Sequence, residues 1–506
     1  IFNIFIFFKF FFYYFYSFFF FMFNKVFLIG SDAFYYMSIA DSIVKYGEIK
    51  DITTIPNWPV KTPQNGIVFI HVILSLIGIS AKGRILSIVV INYLLYLSGI
   101  YPLYKIARFC GLKKELPLVS LLSVYLGAWH IYRINLLSIN DGIFNSLTLW
   151  FVYIIIKLVQ DIDLFESVTF YKPAINKILI IFLFVVVLIQ FRLNASLVIG
   201  SAVLSALLIR NFRASMLLIA SSLILIFSFI LIYSFIIEVP SLENTGNSRL
   251  LFMFWEALKI HNFKRQLWLT LPKLIAGLPG LTNPFATLLF TLFPLSMLYF
   301  AVKGIIQKNF SKVFIASICL TGLWFTISFP TARYIFYTFP FIYLILLDLK
   351  RIRLVGYAFV LLVLLRSLLQ FNIGFEERGP DSKLFLYIYE KNISLPENAL
   401  LSSYRRRHPY FILKTRNYLG DDSWDKILEQ IEAPGKFMPK LNWDLINEHG
   451  SLYVLGDSTY IDSTLSQVSE IARVMKYTPK KKLLTPALDK FEGWGLVELT
   501  LNRVEY

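Results

Sequence analysis

The sequence predicts an all-α polytopic membrane domain of about 11 transmembrane helices, followed by a C-terminal extracytoplasmic α/β domain. Three observations predict it. Of 506 residues, 57% are hydrophobic and only 16% charged, with a mean hydropathy of +0.63; a soluble domain carries about 25% charged residues. Apolar runs long enough to cross ~30 Å of hydrocarbon recur down the chain. From about residue 373 onward charge rises and no run could span a bilayer. The domains are therefore 1–372 and 373–506.

Span 1 covers about residues 3–23 and is rich in Phe and Tyr. No small-residue cleavage site follows it, so it reads as a true span and not a signal. Residues 24–84 form a long first outer loop. In it Tyr36, Ile39, Ala40 and Ile43 recur at helical spacing, so Ala33–Tyr46 reads as one surface helix. Thr53–Pro63 contains Pro56, Pro59 and Pro63 and is expected to be irregular. Gly66–Ile79 is apolar but too short to span comfortably, and reads as a re-entrant or interfacial helix.

The remaining spans are expected near 85–104, 116–131, 143–160, 178–191, 195–210, 214–237, 284–302, 313–329, 334–348 and 354–371. If 66–79 does not cross, the clusters Lys105/Arg108/Lys113/Lys114, Lys172/Lys177, Arg210/Arg213, Lys303/Lys308/Lys312 and Lys350/Arg351/Arg353 all face the cytoplasm, as the positive-inside rule requires. The N-terminus is then cytoplasmic and residues 373–506 lie outside, in a multi-pass protein of the plasma membrane. The net charge of +17 has the same origin, so no nucleic-acid partner is expected. The long outer loop 239–283 includes Ser248–Trp268, where Leu, Phe, Trp and Ile alternate with basic residues, a composition suited to anionic lipid. In the final domain Lys383–Lys391 and Asp422–Glu432 read as helices, and Ala399–Ser403, Leu452–Leu455 and Leu496–Leu501 as strands.

Two distant cysteines, Cys110 and Cys319, imply neither a disulfide framework nor a thiolate metal site. No Walker sequence, no GxGxxG after a strand and no HExxH occurs, which leaves ATP-driven transport without support. His71 and His130 lack metal-ligand partners at helical spacing and read as structural.

Several charged residues on the expected outer face could carry chemistry. Asp32 begins the first surface helix, where it reads as an N-cap worth ~1 kcal/mol or as an acid facing a cavity. Asp41, nine positions on, lies about 180° round that helix at ~100° per residue and reads as a solvated surface acid. Asp141 stands just before the span 143–160 and reads as its cap or as a second acid. Lys61, between Pro59 and Pro63, reads as a phosphate ligand or a lysine reaching headgroups. Arg192 lies in a turn between two spans, and Arg333 opens another. A guanidinium at such depth is costly unless it meets protein or an anion, and both could clamp phosphate. One or two carboxylates are too few to define a Mg²⁺ or Mn²⁺ site, so no cofactor is specified and a divalent cation stays open.

These residues resemble those of the GT-C superfamily of polyprenyl-phosphate-dependent glycosyltransferases, and within it glycosyltransferase family 39 with its protein O-mannosyltransferase and aminoarabinose transferase members. Asp32, Tyr35, Tyr36, Ala40 and Gly47 match an acid, aromatic residues and a small helix ending in Gly after the first span. Lys61-Thr62-Pro63 through Gly78 resembles a Lys-Pro-Pro-like element opening a second surface helix, and Gly83–Ser87 the beginning of the second span. Asp141, Ala332–Phe336 with Pro340, Asn398–Ser403 and Ser451–Gly456 resemble later elements. Asp32 is followed by Ala33 where protein O-mannosyltransferases carry Asp-Glu, and Trp443-Asp444 is not the Trp-Trp-Asp of oligosaccharyltransferases.

The resemblance implies an inverting transferase for the cell envelope. Asp32 would be its base, with Asp141 and Tyr36 at the acceptor, and Lys61, Arg192 and Arg333 on the donor phosphate. Its partners would be a lipid-linked sugar donor, a glycan, lipid or protein acceptor, and membrane lipid. A lipid or solute transporter or flippase is the alternative from another class, but no internal repeat supports it. A glycan polymerase or ligase of related architecture is a third.

Overall fold

The computed structural model describes residues 31–52, 54–55, 58–59, 66–128, 140–164, 172–192, 195–211, 214–216, 218–219, 284–328, 336–373, 380–396, 399–403, 413, 417–418, 443–475, 477–486, 488–491 and 493–503. The expected span 3–23, most of 214–237, the loop 239–283 and the helix 422–432 lie outside them. The chain divides into two compact units. The first comprises Ile1–Phe19, Lys61–Ile67 and Ser87–Asn372, and the second Phe20–Val60, Val68–Leu86 and Ile373–Tyr506.

The helices of the first part of the chain are α1 (Ser31–Tyr46), α2 (Gly66–Leu76), α3 (Ala81–Ser98), α4 (Ile100–Phe109), α5 (Glu115–Gly127), α6 (Asn140–Leu164), α7 (Lys172–Phe191) and α8 (Ala195–Leu208). They are followed by α9 (Pro284–Ile306), α10 (Phe310–Ser328), α11 (Phe339–Asp348) and α12 (Arg353–Ile373). Most fall where hydropathy placed spans. The count of eleven is not established, however. Among the described residues only Ala81–Phe109 and Asn140–Gln160 are both long and apolar enough to cross a membrane, and other apolar helices, such as Glu115–Gly127 and Ala195–Leu208, are shorter.

The outward faces of these helices are more telling than their lengths. On α9, Leu295, Leu298, Tyr299, Val302 and Ile306 fall on one exposed face, while Phe293, Met297 and Phe300 are buried on the other. Leu179, Ile180, Leu183 and Val187 on α7, and Leu361, Leu362 and Leu365 on α12, are likewise exposed. A helix of a water-soluble protein turns polar residues outward; apolar residues on both sides suit lipid outside and protein inside. The helix α11 is buried over its whole length.

Polar contacts then fix which helices pair. Ser201 and Thr321 hydroxyls meet at 3.0 Å, and Ser205 donates to Ser317 at 3.2 Å, tying α8 to α10 through small residues. Tyr96 donates to the Tyr125 carbonyl at 2.7 Å and Tyr125 to the Tyr96 carbonyl at 2.8 Å, locking α3 to α5. A Cβ on Gly99, between α3 and α4, would strike the Tyr125 hydroxyl. Asp348 ends α11 facing Lys303 at 3.6 Å and Lys312 at 3.9 Å.

In the second unit α1 begins at Ser31, two residues before the expected start, and ends at Gly47 with φ +68°. The segment read as irregular forms two short strand pieces, β2 (Thr54–Ile55) and β3 (Trp58–Pro59), with β3 paired to β1 (Lys50–Asp51). Prolines bar a long strand but permit two-residue edges. The chain then enters α2, which presents Phe69, Ile73, Leu76 and Ile77 to the outside and buries Ile67, Val68 and His71. This exposed apolar stripe suits the interfacial helix expected there.

A six-stranded mixed sheet organises the rest of this unit, in the order β2-β5-β4-β6-β8-β7. Its further strands are β4 (Leu401–Ser403), β5 (Asn417–Tyr418), β6 (Ser451–Gly456), β7 (Tyr477–Leu483) and β8 (Gly495–Arg503). The strands β2, β5, β4 and β6 run parallel, and β8 and β7 are antiparallel. Successive side chains of a strand point to opposite faces. In β6, Tyr453 and Leu455 join Leu384, Phe385 and Ile388 of α13 (Pro380–Glu390), while Leu452 and Val454 join Tyr460, Ile461 and Val468 of α15 (Ser458–Val474). Between them lies α14 (Trp443–His449). The expected strands are all present. The helix α15 and strand β7 were not anticipated, although Asp457 caps α15 by accepting the Tyr460 N–H at 2.8 Å, and the Lys480-Lys481-Lys482 run sits on an outer strand, where charge discourages edge pairing.

Candidate functional site

Three helix ends converge in the first unit. The helix α6 starts at Asn140, α7 ends at Phe191 and α2 starts at Gly66. The Ile67 N–H donates to the Asn140 Oδ1 at 3.3 Å, so α6 supplies a cap for α2 from 73 residues away. A Cβ on Gly66 would lie 2.9 Å from the Phe191 ring. Only glycine therefore allows α2 to approach the end of α7 this closely. Gly142 lies similarly against the Asn92 amide of α3, 3.0 Å from an added Cβ.

Asp141 and Arg192 meet at this junction. Arg192 Nη2 pairs with Asp141 Oδ1, and both side chains are at least nine-tenths buried, at 10% and 3% exposed. Each charge stands where its helix favours it: the acid in the first turn of α6 and the cation just past the last residue of α7. Among the described residues, Asp141 Oδ2 is buried with no hydrogen-bond partner. The carboxylate is thus held by one oxygen while the other is bare. Such an oxygen can accept a proton or a hydroxyl hydrogen bond.

The same helix turns Phe144 toward Tyr337, ring centroids 5.5 Å apart in an edge-on contact. Tyr337 is 1% exposed and its hydroxyl is among the buried groups without a hydrogen-bond partner.

Of the residues singled out from sequence, the structure brings together Asp141 and Arg192. Tyr36 lies in the second unit, on α1, packed beside Ile39, Ala40 and Val68 and 5.7 Å from the Tyr35 ring. Asp32 falls in the first described turn of α1; its side chain lies outside the described residues, as do Lys61, Arg333 and His130. Asn140 and the Gly66–Phe191 approach were not anticipated. Asn140 is legible as a helix start, but nothing in sequence pairs it with a backbone N–H so far away.

Asp41 corrects the expectation of a solvated acid. It is buried, and Arg84 Nη1 of α3 donates to its Oδ1 at 2.7 Å. His71 is fully enclosed, and burial, followed by the neighbouring Arg84 charge, pulls its pKa from 6.5 down to about 3. It is therefore a neutral imidazole at any physiological pH. Among the described residues no three His, Cys, Asp or Glu side chains come together as a metal site.

No protein-family model matches the chain. No curated protein matches it either. Among solved structures it is similar to the archaeal oligosaccharyltransferase AglB of Archaeoglobus fulgidus, in complex with an inhibitory peptide and a dolichol-phosphate. That similarity is at 11% identity, covers 94% of this chain and 71% of that one, and has a TM-score of 0.47. It is also similar to ArnT of Cupriavidus metallidurans bound to undecaprenyl phosphate, at 13% identity over 93% of each chain, with a TM-score of 0.43.

Proposed function

We propose that this chain is an integral membrane glycosyltransferase that moves a sugar from a polyprenyl-phosphate donor to an extracytoplasmic acceptor hydroxyl with inversion. The outward apolar faces of α7, α9 and α12 support the membrane setting. The observation that carries the chemistry is the half-held carboxylate of Asp141: one oxygen on Arg192, the other buried and bare.

In this reading Asp32 removes the proton of the acceptor hydroxyl as that oxygen attacks the anomeric carbon, and the bond from that carbon to the phosphate oxygen breaks. The departing polyprenyl phosphate carries the electron pair away. Arg192, held in place by Asp141, balances its charge with Lys61 and Arg333. Asp141 Oδ2 orients the acceptor.

Purified full-length protein in detergent or vesicles, supplied with a panel of radiolabelled polyprenyl-phosphate sugars, tests the reading. Transfer by the wild type that falls at least 100-fold in Asp32→Asn and in Asp141→Asn, with folding intact, supports it. Transfer that persists in both variants removes the assignment.

A further inference from the structure

We infer that Asp41 and Arg84 are positioning residues: their buried ion pair fixes the rotation of α1 about its own axis. The inference rests on the proposed role of Asp32, which lies on that helix.

Two kinds of contact hold α1 within the second unit. One is apolar: Ile39 and Ala40 pack against Val68 of α2, with Tyr35, Tyr36, Ile43 and Val72 at the margin. Apolar contact of this kind is non-directional, so it holds α1 against its neighbour while leaving roll about the axis soft. The second contact is directional. Arg84 and Asp41 meet at 2.7 Å with side chains 6% and 12% exposed. A roll of 20° would shift a group ~5 Å from the helix axis by roughly 2 Å. The charged hydrogen bond would break under such a shift.

Stability does not account for this pair. Apolar residues of similar volume often do as well or better in a buried position. The surrounding layer is not optimised for hydrogen bonding either. Among the described residues, Arg84 Nε, Ser42 Oγ and both ring nitrogens of His71 are buried without hydrogen-bond partners. What the pair contributes is direction. Position 32 precedes position 41 by nine residues, half a turn round the helix at ~100° per residue, so whatever fixes the azimuth of one fixes the other. A misplacement of about 1 Å at a reacting centre can lower a rate ~100-fold.

The test compares the wild type with Asp41→Asn and with the apolar double variant Asp41→Leu/Arg84→Met, in full-length protein. Asp41→Asn is expected to lower kcat by about 10- to 100-fold with donor KM within about two-fold. The double variant is expected to recover the melting temperature without recovering kcat. A merely structural pair would recover both, and that result overturns the inference. A second readout needs no transfer activity. Spin labels on cysteines at the exposed positions Val44 and Leu76 report the roll of α1 against α2. A narrow distance distribution in the wild type should broaden or shift in the double variant; an unchanged distribution also overturns the inference. If the wild type transfers no sugar, the proposed function fails, and the labels still decide whether the pair sets the roll.

Discussion

Two buried aspartate–arginine pairs, one in each compact unit, differ at the acid. Asp141 lies in the first turn of α6, where the helix dipole already favours a negative charge. One contact with Arg192 is enough to hold it, and Oδ2 is left bare. Asp41 lies in the third turn of α1, without that support. Among the described residues no oxygen of Asp41 is buried without a partner. A third acid completes the series. Asp348 closes α11, where the dipole opposes it, and it faces two lysines, while Arg353 donates to the Leu347 and Asp348 carbonyls at 2.7 and 3.2 Å. Asp348 Oδ2 also makes no hydrogen bond among the described residues, but that oxygen faces both lysines, whereas at Asp141 the ion pair uses Oδ1 and leaves Oδ2 out of it.

The largest effect should separate Asp141 from Asp348. Asp141→Asn is expected to lower transfer by about 100-fold or more, the scale of losing a group that positions the reacting atoms. Asp348→Asn should leave kcat within a few-fold while lowering the melting temperature. Equal losses of transfer in the two variants would break the comparison. Next in size is Arg192→Ala, which leaves a carboxylate buried without its cation. It should destabilise by about 3–5 kcal/mol, read by thermal denaturation in detergent, and Arg192→Lys should recover part of the loss.

His71 gives the second pair a pH signature. Its pKa in the folded chain, about 3, lies below the ordinary 6.5, so as pH falls below 6.5 the unfolded chain takes up a proton that the native one refuses. Stability is unaffected above pH 6.5 and falls by ~1.4 kcal/mol per pH unit between there and about 3. Denaturation between pH 7.5 and 5 should show the decline, and His71→Gln should flatten it. Gly66→Ala is expected to cost about 1–3 kcal/mol through overpacking against Phe191, and Phe191→Leu should relieve it. The smallest effect is Asp457→Ala, which removes the α15 cap for ~1 kcal/mol and should leave transfer unchanged.

Much of the architecture was legible because its signals are local. Apolar runs fixed most helices to within a few residues, and alternating residues found β6 and β8. Asp141 and Arg192 were both singled out, one by its place before a span and the other by its depth in a tight turn. Their pairing was not legible, since each was read against solvent, lipid or substrate and never against the other. Asp41 was misread for a related reason. Helical periodicity set it opposite Asp32, and that opposite side was read as solvated, whereas Arg84 arrives from another helix to cover it. The strand β2 was missed because its partner β5 lies more than 300 residues further on, and β7 because its three consecutive lysines hide the alternation of an edge strand.

The most direct measurement of the central claim is sugar transfer from a labelled polyprenyl-phosphate donor by wild type, Asp141→Asn and Asp348→Asn side by side. The account predicts transfer by the wild type, its loss in Asp141→Asn and its retention in Asp348→Asn. Full transfer by Asp141→Asn would contradict it.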